Sequence, residues 1–544
     1  MNTSPRYNPL AHADVCLLLE GTFPYVRGGV STWVRQLIEG MPHLSFSIVY
    51  LGADSEANSE PVYSLPDNVV HLETHFLLDP LSAKPAVPLT KKLAQGLTRM
   101  LGSEKSACPD STRFEQSDCL HARLHEEQGK LDSSIGGGFA RLLCGDNPIT
   151  ADELETHGAA WDSIRAQYAK APEGLDFNHY FWSVRSMHTP LFKLSDIALR
   201  PPIADVYHSV STGYAGYLGA LIKQRLNVPF IISEHGIYTK ERELDLAQVD
   251  WIPEGYDPFK VGLNDNMSYL RGLWIRFFRS LGRMAYASAN EVFTLYEGNR
   301  QRQVADGADE NNLHIIPNGV DIARYAKARR PEGAPVPQVI VLIGRVVPIK
   351  DIKTFIRTMQ IVHASMPEVE GWLYGPEDED EAYTRECRDL INSLGLAGVV
   401  KFKGFENPEN IFPEVGLSVL SSVSEGQPLV ILEGFAAGIP AVTTDVGSCR
   451  ELICGISESD KALGESGEIV PIANPQALAV AAMRLLRSRQ LWDEASRCAI
   501  ARVEQYYSDT GMIQRYEKVY QHYRSSVESE TACNELQLNN GRAA

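Results

Sequence analysis

Residues 417–452 read LSVLSSVSEGQPLVILEGFAAGIPAVTTDVGSCREL. The stretch opens on an apolar run, 417–420, that ends in Ser421 and Ser422, the pattern of a buried parallel strand. A loop carrying Glu425 and Gly426 follows. Pro428 suits the first helical position, where its missing N–H has no partner to lose and its φ is already helical. The helix is predicted through Leu429, Val430, Ile431 and Leu432 to about Ala437, stopped by Gly438 and Pro440. Residues 440–444 read as the next strand. Strand, loop, helix and strand make one repeat of an α/β fold with a parallel sheet.

Glu425 and Glu433 bracket the loop and helix start with seven residues between them. The free N–H groups of a helix start favour an anion, such as a diphosphate, above the strand end. Glu425 at the mouth suits a neutral, hydroxyl-rich group. Glu433, over a turn further in, suits accepting hydrogen bonds from a ribose. The same pair also reads as ordinary helix-terminal glutamates stabilised by the dipole. The stretch alone leaves both readings open.

The flanking sequence repeats the alternation. Upstream, strand 339–343 leads into Gly344-Arg345-Val346-Val347-Pro348-Ile349-Lys350, then helix 353–364, strand 370–374, helix 381–394 and strand 399–402. Arg345 and Lys350 place a planar fork and a point charge at a strand end, where they can neutralise a leaving diphosphate. The plainer alternative is a surface pair, Lys350 with Asp351. Downstream come strand 468–471, helices 475–486 and 490–507, and an amphipathic helix 510–523. Residues 528–544 read as a disordered tail.

A linker rich in Pro and charge, 329–337, separates this half from an earlier α/β series. There, strand 15–19 is followed by Gly28-Gly29, which allow close backbone approach at the start of helix 30–41. Strand 46–51 follows. From 76 to 202 the pattern is irregular, with helices over 90–101 and 151–169 and a mobile polar loop over 103–138. Alternation returns with strand 206–210, helix 213–225 and strand 229–233, which ends in Glu234-His235-Gly236. A polar segment, 238–266, and a helix, 268–289, come next. Strand 313–316 runs into Pro317-Asn318-Gly319.

At 544 residues, length alone predicts three or four domains, fewer if they are large α/β units. The formal charge of −18 disfavours non-specific nucleic-acid binding and makes each cation in a motif count. Nine scattered cysteines without a C-x-x-C suggest neither a disulfide framework nor a zinc site. The N-terminus lacks an apolar leader and no run reaches membrane-spanning length, so a reducing cytoplasm is expected. No G-x-G-x-x-G or Walker A loop occurs. Asp378-Glu379-Asp380 matches D-x-D, but acidic residues opening a helix are expected on dipole grounds. The 270–284 helix, with Arg276, Arg279 and Arg283, reads as a core helix with a cationic face rather than a membrane-surface helix.

GRVVPIK, EGQPLVILEG, PNGVD and RGGV together resemble the retaining GT-B glycosyltransferases of family 4. LLLEGTFPYVRGGVSTWV, DVYHSVSTGYAG and SEHGIYTKERELD look like the Pel exopolysaccharide branch. The resemblance runs from about Asp14 to Tyr523. It implies two Rossmann-like domains facing an interdomain cleft, with a helical insertion in the first. The acceptor domain would span 1–328, with the insertion at about 76–204, and the donor domain 336–507. A helix over 508–527 would cross back to the first domain.

By motif position, Arg345 and Lys350 would bind the diphosphate, with Gly426 and the backbone at Leu429 and Val430 assisting. Glu433 would hold the ribose, and Glu425 the sugar hydroxyls. His235 and Glu425 would act at the reacting centre. Gly29 would admit the donor phosphate, and the base would rest near Gly375 and between Phe405 and Glu406. Gly28 and Arg242 are acceptor-side candidates. The implied reaction moves a hexose or N-acetylhexosamine, glucose favoured, from a UDP-sugar to a growing exopolysaccharide with retention. It uses no cofactor or metal, in the cytoplasm beside an inner-membrane synthase or export complex. A non-catalytic UDP-sugar-binding subunit and a Rossmann oxidoreductase or epimerase are the alternatives. The missing dinucleotide fingerprint argues against the last.

Overall fold

A computed structural model of the chain describes residues 6–55, 60–79, 111–126, 131–248 and 269–541. The chain divides into two compact units: Met1–Val292, Gln303–Leu313 and His522–Ala544 form one, and Phe293–Arg302 and His314–Gln521 the other. Both are built on parallel sheets, so the α/β class holds for each.

The first sheet contains β1 (His12–Glu20), β2 (Phe46–Gly52), β3 (Val69–Phe76), β4 (Ile203–Ser209), β5 (Phe230–Glu234), β6 (Glu291–Thr294) and β7 (Leu313–Ile315), in the order β3-β2-β1-β4-β5-β6-β7. β1 runs parallel to β2 and β4, with Leu17 opposite Ile48 on one side and His208 on the other. Residues Val15 to Leu19 are fully buried. That is why the run is continuously apolar rather than alternating. Chain order reverses between β1 and β4, and ligands of open α/β sheets bind beyond the carboxyl ends of strands at such a point.

β3 is missing from the pattern reading because His71, Glu73 and His75 break its apolar character. The structure explains their presence: both imidazoles lie 3.1 Å from the Glu73 carboxylate, one at each oxygen. Burial pushes the Glu73 carboxyl up, but these two partners outweigh it and hold the group down at about 2.

The insertion is more regular than its composition suggests. Where a loop is predicted over 103–138, helices form at Ser111–Glu126 and Ser133–Cys144, and Gly136-Gly137-Gly138 lies inside the second. A Cβ on Gly138 would sit 2.7 Å from Leu120, so that glycine serves close helix packing. The single helix predicted over 151–169 is two, Ala151–Thr156 and Gly158–Tyr168, the first opened by a Thr150–Glu153 capping box. A 23-residue helix, Phe177–Leu199, was hidden by Pro190 in its interior. The polar segment from Tyr238 begins as a helix, Tyr238–Gln248, and the predicted helix 268–289 spans Tyr269–Ser288. The predicted helix 90–101 and residues 249–266 lie outside the described residues.

The second sheet contains β8 (Val339–Ile343), β9 (Glu370–Tyr374), β10 (Val400–Phe402), β11 (Leu417–Leu420), β12 (Ala441–Thr444) and β13 (Gly467–Val470), in the order β10-β9-β8-β11-β12-β13. Every neighbouring pair is parallel. Its core joins Ile340, Phe355, Ile356, Met359, Leu417 and Leu478. Full burial of each such large side chain contributes about 1.5–3 kcal/mol. Here the order reverses between β8 and β11, so GRVVPIK and EGQPL emerge on either side of the switch point.

The last helix runs over Asp509–Gly541, so the segment predicted as a disordered tail is helical as far as Gly541. Residues 526–540 contain neither Pro nor Gly to stop it. On this helix Arg524 pairs with Asp14 and Asp205 of the first unit. Among the described residues no helix is long and apolar enough to cross a membrane.

Candidate functional site

In the second unit, β8 ends at Ile343 and the chain turns through Gly344 and Arg345 into a short 3-10 turn, Pro348–Lys350. Lys350 Nζ donates to Glu425 Oε1 at 2.5 Å. Ser422 Oγ donates to the same oxygen at 2.6 Å. The two charged side chains are only 20% and 13% exposed, so the pair is sheltered from solvent. Lys350 therefore pairs across the switch point rather than with Asp351. Asp351 caps the Ile352–Ser365 helix, accepting from the Thr354 N–H at 3.2 Å.

The two loops are stitched together below this pair. Ser421 Oγ donates to the Lys350 and Asp351 carbonyls, and the Val423 N–H donates to Ile349. Thr444 Oγ1 holds the Ser422 carbonyl at 2.7 Å from β12. The helix after the loop is Leu429–Ala436, with Pro428 as its N-cap residue at ψ 108°, one place before the predicted position. Leu429 and Val430 are thus its first residues, and their N–H groups have no intrahelical partner.

Glu433 receives a hydrogen bond of 2.9 Å from Tyr325 Oη. Burial raises its carboxyl above the usual carboxylate range, and the tyrosine hydroxyl opposes that shift. Tyr325 lies just after PNGVD (317–321), on the Ile322–Ala326 helix capped by its Asp321. The same segment reaches the EGQPL loop a second time, where the Asn318 N–H donates to Gln427 Oε1 at 2.7 Å. Sequence reading did not single out Tyr325, and it quoted Asn318 only within PNGVD, without a role. The available signal was the Asp321 cap, which fixes the short helix carrying the tyrosine.

Arg345 stands apart from Lys350. It pairs with Glu379 at 2.5 Å, both side chains being about half exposed (53% and 45%). Asp380 caps the Glu381–Ser393 helix by accepting from Tyr383 N–H. Of the D-x-D match, Asp380 is thus a helix cap and the intervening Glu379 an ion-pair partner. Among the described residues no group of three or more His, Cys, Asp or Glu side chains is placed to hold a metal ion. Gly375 has φ +144°, and a Cβ there would lie 2.0 Å from the Gly344 carbonyl, so only glycine lets the β8 and β9 ends touch. Phe405 is 66% exposed. Glu406 accepts from Asn410 and the Asn407 N–H, which hold its carboxyl low.

In the first unit, His235 follows β5 and is buried, with its ring edge-to-face against Trp33 at 4.5 Å. Burial holds its imidazole down to about 4, so it is neutral at physiological pH. The strand end that carries it is anchored by Glu234. That carboxylate accepts from Thr212, Tyr238 N–H, Tyr286 and Gln303. Arg242 lies over the Tyr238 ring at 5.2 Å and pairs with Asp245. Tyr238 Oη in turn donates to Glu20 at the end of β1. Gly28 caps the Gly29–Gly40 helix in extended conformation, and Gly28 and Gly29 are both exposed. Among the described residues, chain neighbours aside, no atom lies within 4 Å of where a Gly28 Cβ would stand.

Residues 13–311, more than half of the chain, match the family described as "Domain of unknown function (DUF3492)". The chain belongs to this family. The second unit of this DUF3492 protein matches a second family, "Glycosyl transferases group 1", over residues 337–488. The DUF3492 protein is 26% identical over 381 residues to a D-inositol 3-phosphate glycosyltransferase of Acidothermus cellulolyticus, covering 66% of this chain and 71% of that one. Its fold resembles HepE of Anabaena solved with UDP and glucose, with a TM-score of 0.53, 14% identity, and 94% and 100% of the two chains covered. Sucrose-phosphate synthase from Thermosynechococcus elongatus gives 0.51, 17%, 94% and 99%. The second unit thus carries a group 1 glycosyltransferase match, and the two Rossmann-like, parallel-sheet units share the GT-B fold of these neighbours.

Proposed function

We propose that this protein is a retaining, metal-independent hexosyltransferase of family 4. It moves a hexose or N-acetylhexosamine, glucose favoured, from a UDP-sugar to a growing exopolysaccharide in Pel-type synthesis, in the cytoplasm beside a membrane complex. The observation that carries the reading is the Lys350–Glu425 pair at the switch point, directly before a helix N-terminus. A sheltered cation and free N–H groups suit a diphosphate, and an adjacent carboxylate suits sugar hydroxyls. HepE, one of the fold neighbours, was solved with UDP and glucose, which supports the choice of donor class.

In the proposed reaction the bond between the anomeric carbon and the donor phosphate oxygen breaks. The acceptor hydroxyl oxygen bonds to the same face, and its proton passes to the donor's phosphate oxygen. Lys350, Arg345 and the N–H groups at Leu429 and Val430 stabilise the leaving UDP. Glu425 orients the sugar, Glu433 holds the ribose, and Gly375, Phe405 and Glu406 border the base. Neutral His235 serves as a hydrogen-bond donor at the reacting centre. Gly28, Gly29 and Arg242 are assigned to donor-phosphate and acceptor approach.

Radiolabelled UDP-sugars incubated with the protein and membranes test this. Transfer from one donor, unchanged by EDTA, is expected. No transfer and no UDP release with any donor would sink it. One observation favours a second reading, a UDP-sugar-binding subunit without turnover: both cations already face carboxylates, Lys350 with Glu425 and Arg345 with Glu379. Tight donor binding without release of UDP would select that reading.

A further inference from the structure

Tyr325 precedes β8, outside the 336–507 span assigned to the donor domain from sequence, yet its hydroxyl lies on Glu433. The ring is held so that the hydroxyl has one direction to point. Tyr325 is buried. Phe412 packs against it edge-to-face at 6.0 Å between centroids. The Arg324 guanidinium lies 5.3 Å from the centroid and is itself fixed by an ion pair with Glu409. Asp321 caps the helix beneath, accepting from Arg324 N–H at 2.9 Å.

Among the described residues, Tyr325 is the one hydrogen-bond donor to the Glu433 carboxylate. Burial disfavours the charged form of that carboxyl. A carboxylic acid that keeps its proton loses half its accepting capacity and cannot receive two hydroxyls equally. A hydroxyl donated from a rigid ring does two things. It stabilises the anion, and it sets the carboxylate plane through Oε1, so that the other oxygen is presented in a fixed direction.

We propose that Tyr325 is a positioning residue for nucleotide recognition: through Glu433 it makes the site select a ribose diol over a deoxygenated sugar. The inference rests on the reading of Glu433 as the ribose-holding acid. Loss of the tyrosine hydroxyl leaves a desolvated carboxyl without its donor. Contacts to a ribose then weaken, while contacts to the diphosphate and base do not. A hydrogen bond to a charged group carries about 1.5–3 kcal/mol, roughly ten- to a hundredfold in affinity.

The test is calorimetric titration of the full chain with UDP and with 2′,3′-dideoxy-UDP. The wild type is expected to prefer UDP by tenfold or more. Tyr325→Phe, which keeps the ring and its packing, is expected to shrink that preference to within about threefold. Its affinity for the dideoxy compound should stay unchanged. Glu433→Gln supplies the second arm, because adding Tyr325→Phe to it should change nothing further if the tyrosine acts through the glutamate. The inference is overturned if Tyr325→Phe weakens both nucleotides equally, or if it leaves the preference intact. A wild type that binds UDP without preference overturns it too. In all three cases UDP still binds, and the donor reading survives. Absence of any UDP binding overturns both.

Discussion

Lys350 and Arg345 carry the same charge from the same loop, and their surroundings assign them unequal weight. The Arg345–Glu379 pair is half exposed, and such pairs contribute about 0–1 kcal/mol. Arg345→Ala should therefore leave thermal stability within a degree or two while raising the donor KM about tenfold, as steady-state kinetics would show. Lys350→Ala strips the cation from a sheltered carboxylate and from the proposed phosphate contact. We expect turnover to fall by a hundredfold or more. Equal effects of the two substitutions would contradict the assignment. Both cations were legible in GRVVPIK, but not their partners. A partner 75 residues away, Glu425, depends on strand order, which the motif does not state.

His235 carries a pH dependence whose sign is fixed by its burial. Its folded pKa is lowered from 6.5 to about 4, so the unfolded chain binds more protons between those values. The stability it contributes is present above about pH 6.5 and is lost as pH falls toward 4, a change of about 3 kcal/mol. Urea midpoints measured from pH 7.5 to 4.5 should decline, and less steeply for His235→Gln. An identical slope in the variant would argue against a neutral buried imidazole. His208, lowered to about 3 by burial first and by His235 second, adds to the decline in both proteins. Sequence marked His235 by its place at a strand end. Trp33, which buries it, comes from a helix 202 positions earlier and left no local sign.

At the scale of elements, glycines in the two glycine turns serve different purposes. Gly375 sits at positive φ with a backbone oxygen 2.0 Å from any added Cβ. Gly375→Ala should cost on the order of 2–4 kcal/mol in chemical denaturation. Gly28 is extended and faces open space. Gly28→Ala should change stability by less than about 1 kcal/mol. If it nonetheless lowers transfer activity, the constraint there comes from a ligand. The sandwich of strands and helices was legible wherever apolar runs alternate with 3.6-residue periodicity. It failed at β3, which carries a satisfied His–Glu–His face, and in the insertion, where Gly138 packs a helix closely and Pro190 sits inside one. Gly138 is compensated by Leu120 on the preceding helix, and Glu73 by the two histidines beside it on its own strand.

For the whole molecule, the two series of β/α units could be drawn from the sequence, whereas the order of the strands, and with it both switch points, came from the structure. Where one unit ends and the next begins could not. A composition break at 329–337 marks a linker in the sequence, whereas the compact second unit takes in the chain from His314 onward, PNGVD included. Local composition reports solvation and charge, while membership of a unit is decided by partners such as Gln427 and Glu433.

That membership has a consequence for how such chains can be cut and rejoined. A second unit excised at residue 336 loses the Tyr325 hydroxyl on Glu433 and the Asn318 bond to Gln427, although every residue of the recognised glycosyltransferase match is retained. We expect such a fragment to be less stable, and a chimera joined there to bind UDP more weakly, than their counterparts joined at 314. Thermal melts and nucleotide titration of the two chimeras would decide it. In the exchange of domains between genes, a crossover inside the Pro-rich linker would be tolerated by the backbone yet would break the contacts to Gln427 and Glu433. The inherited module should therefore carry PNGVD with it.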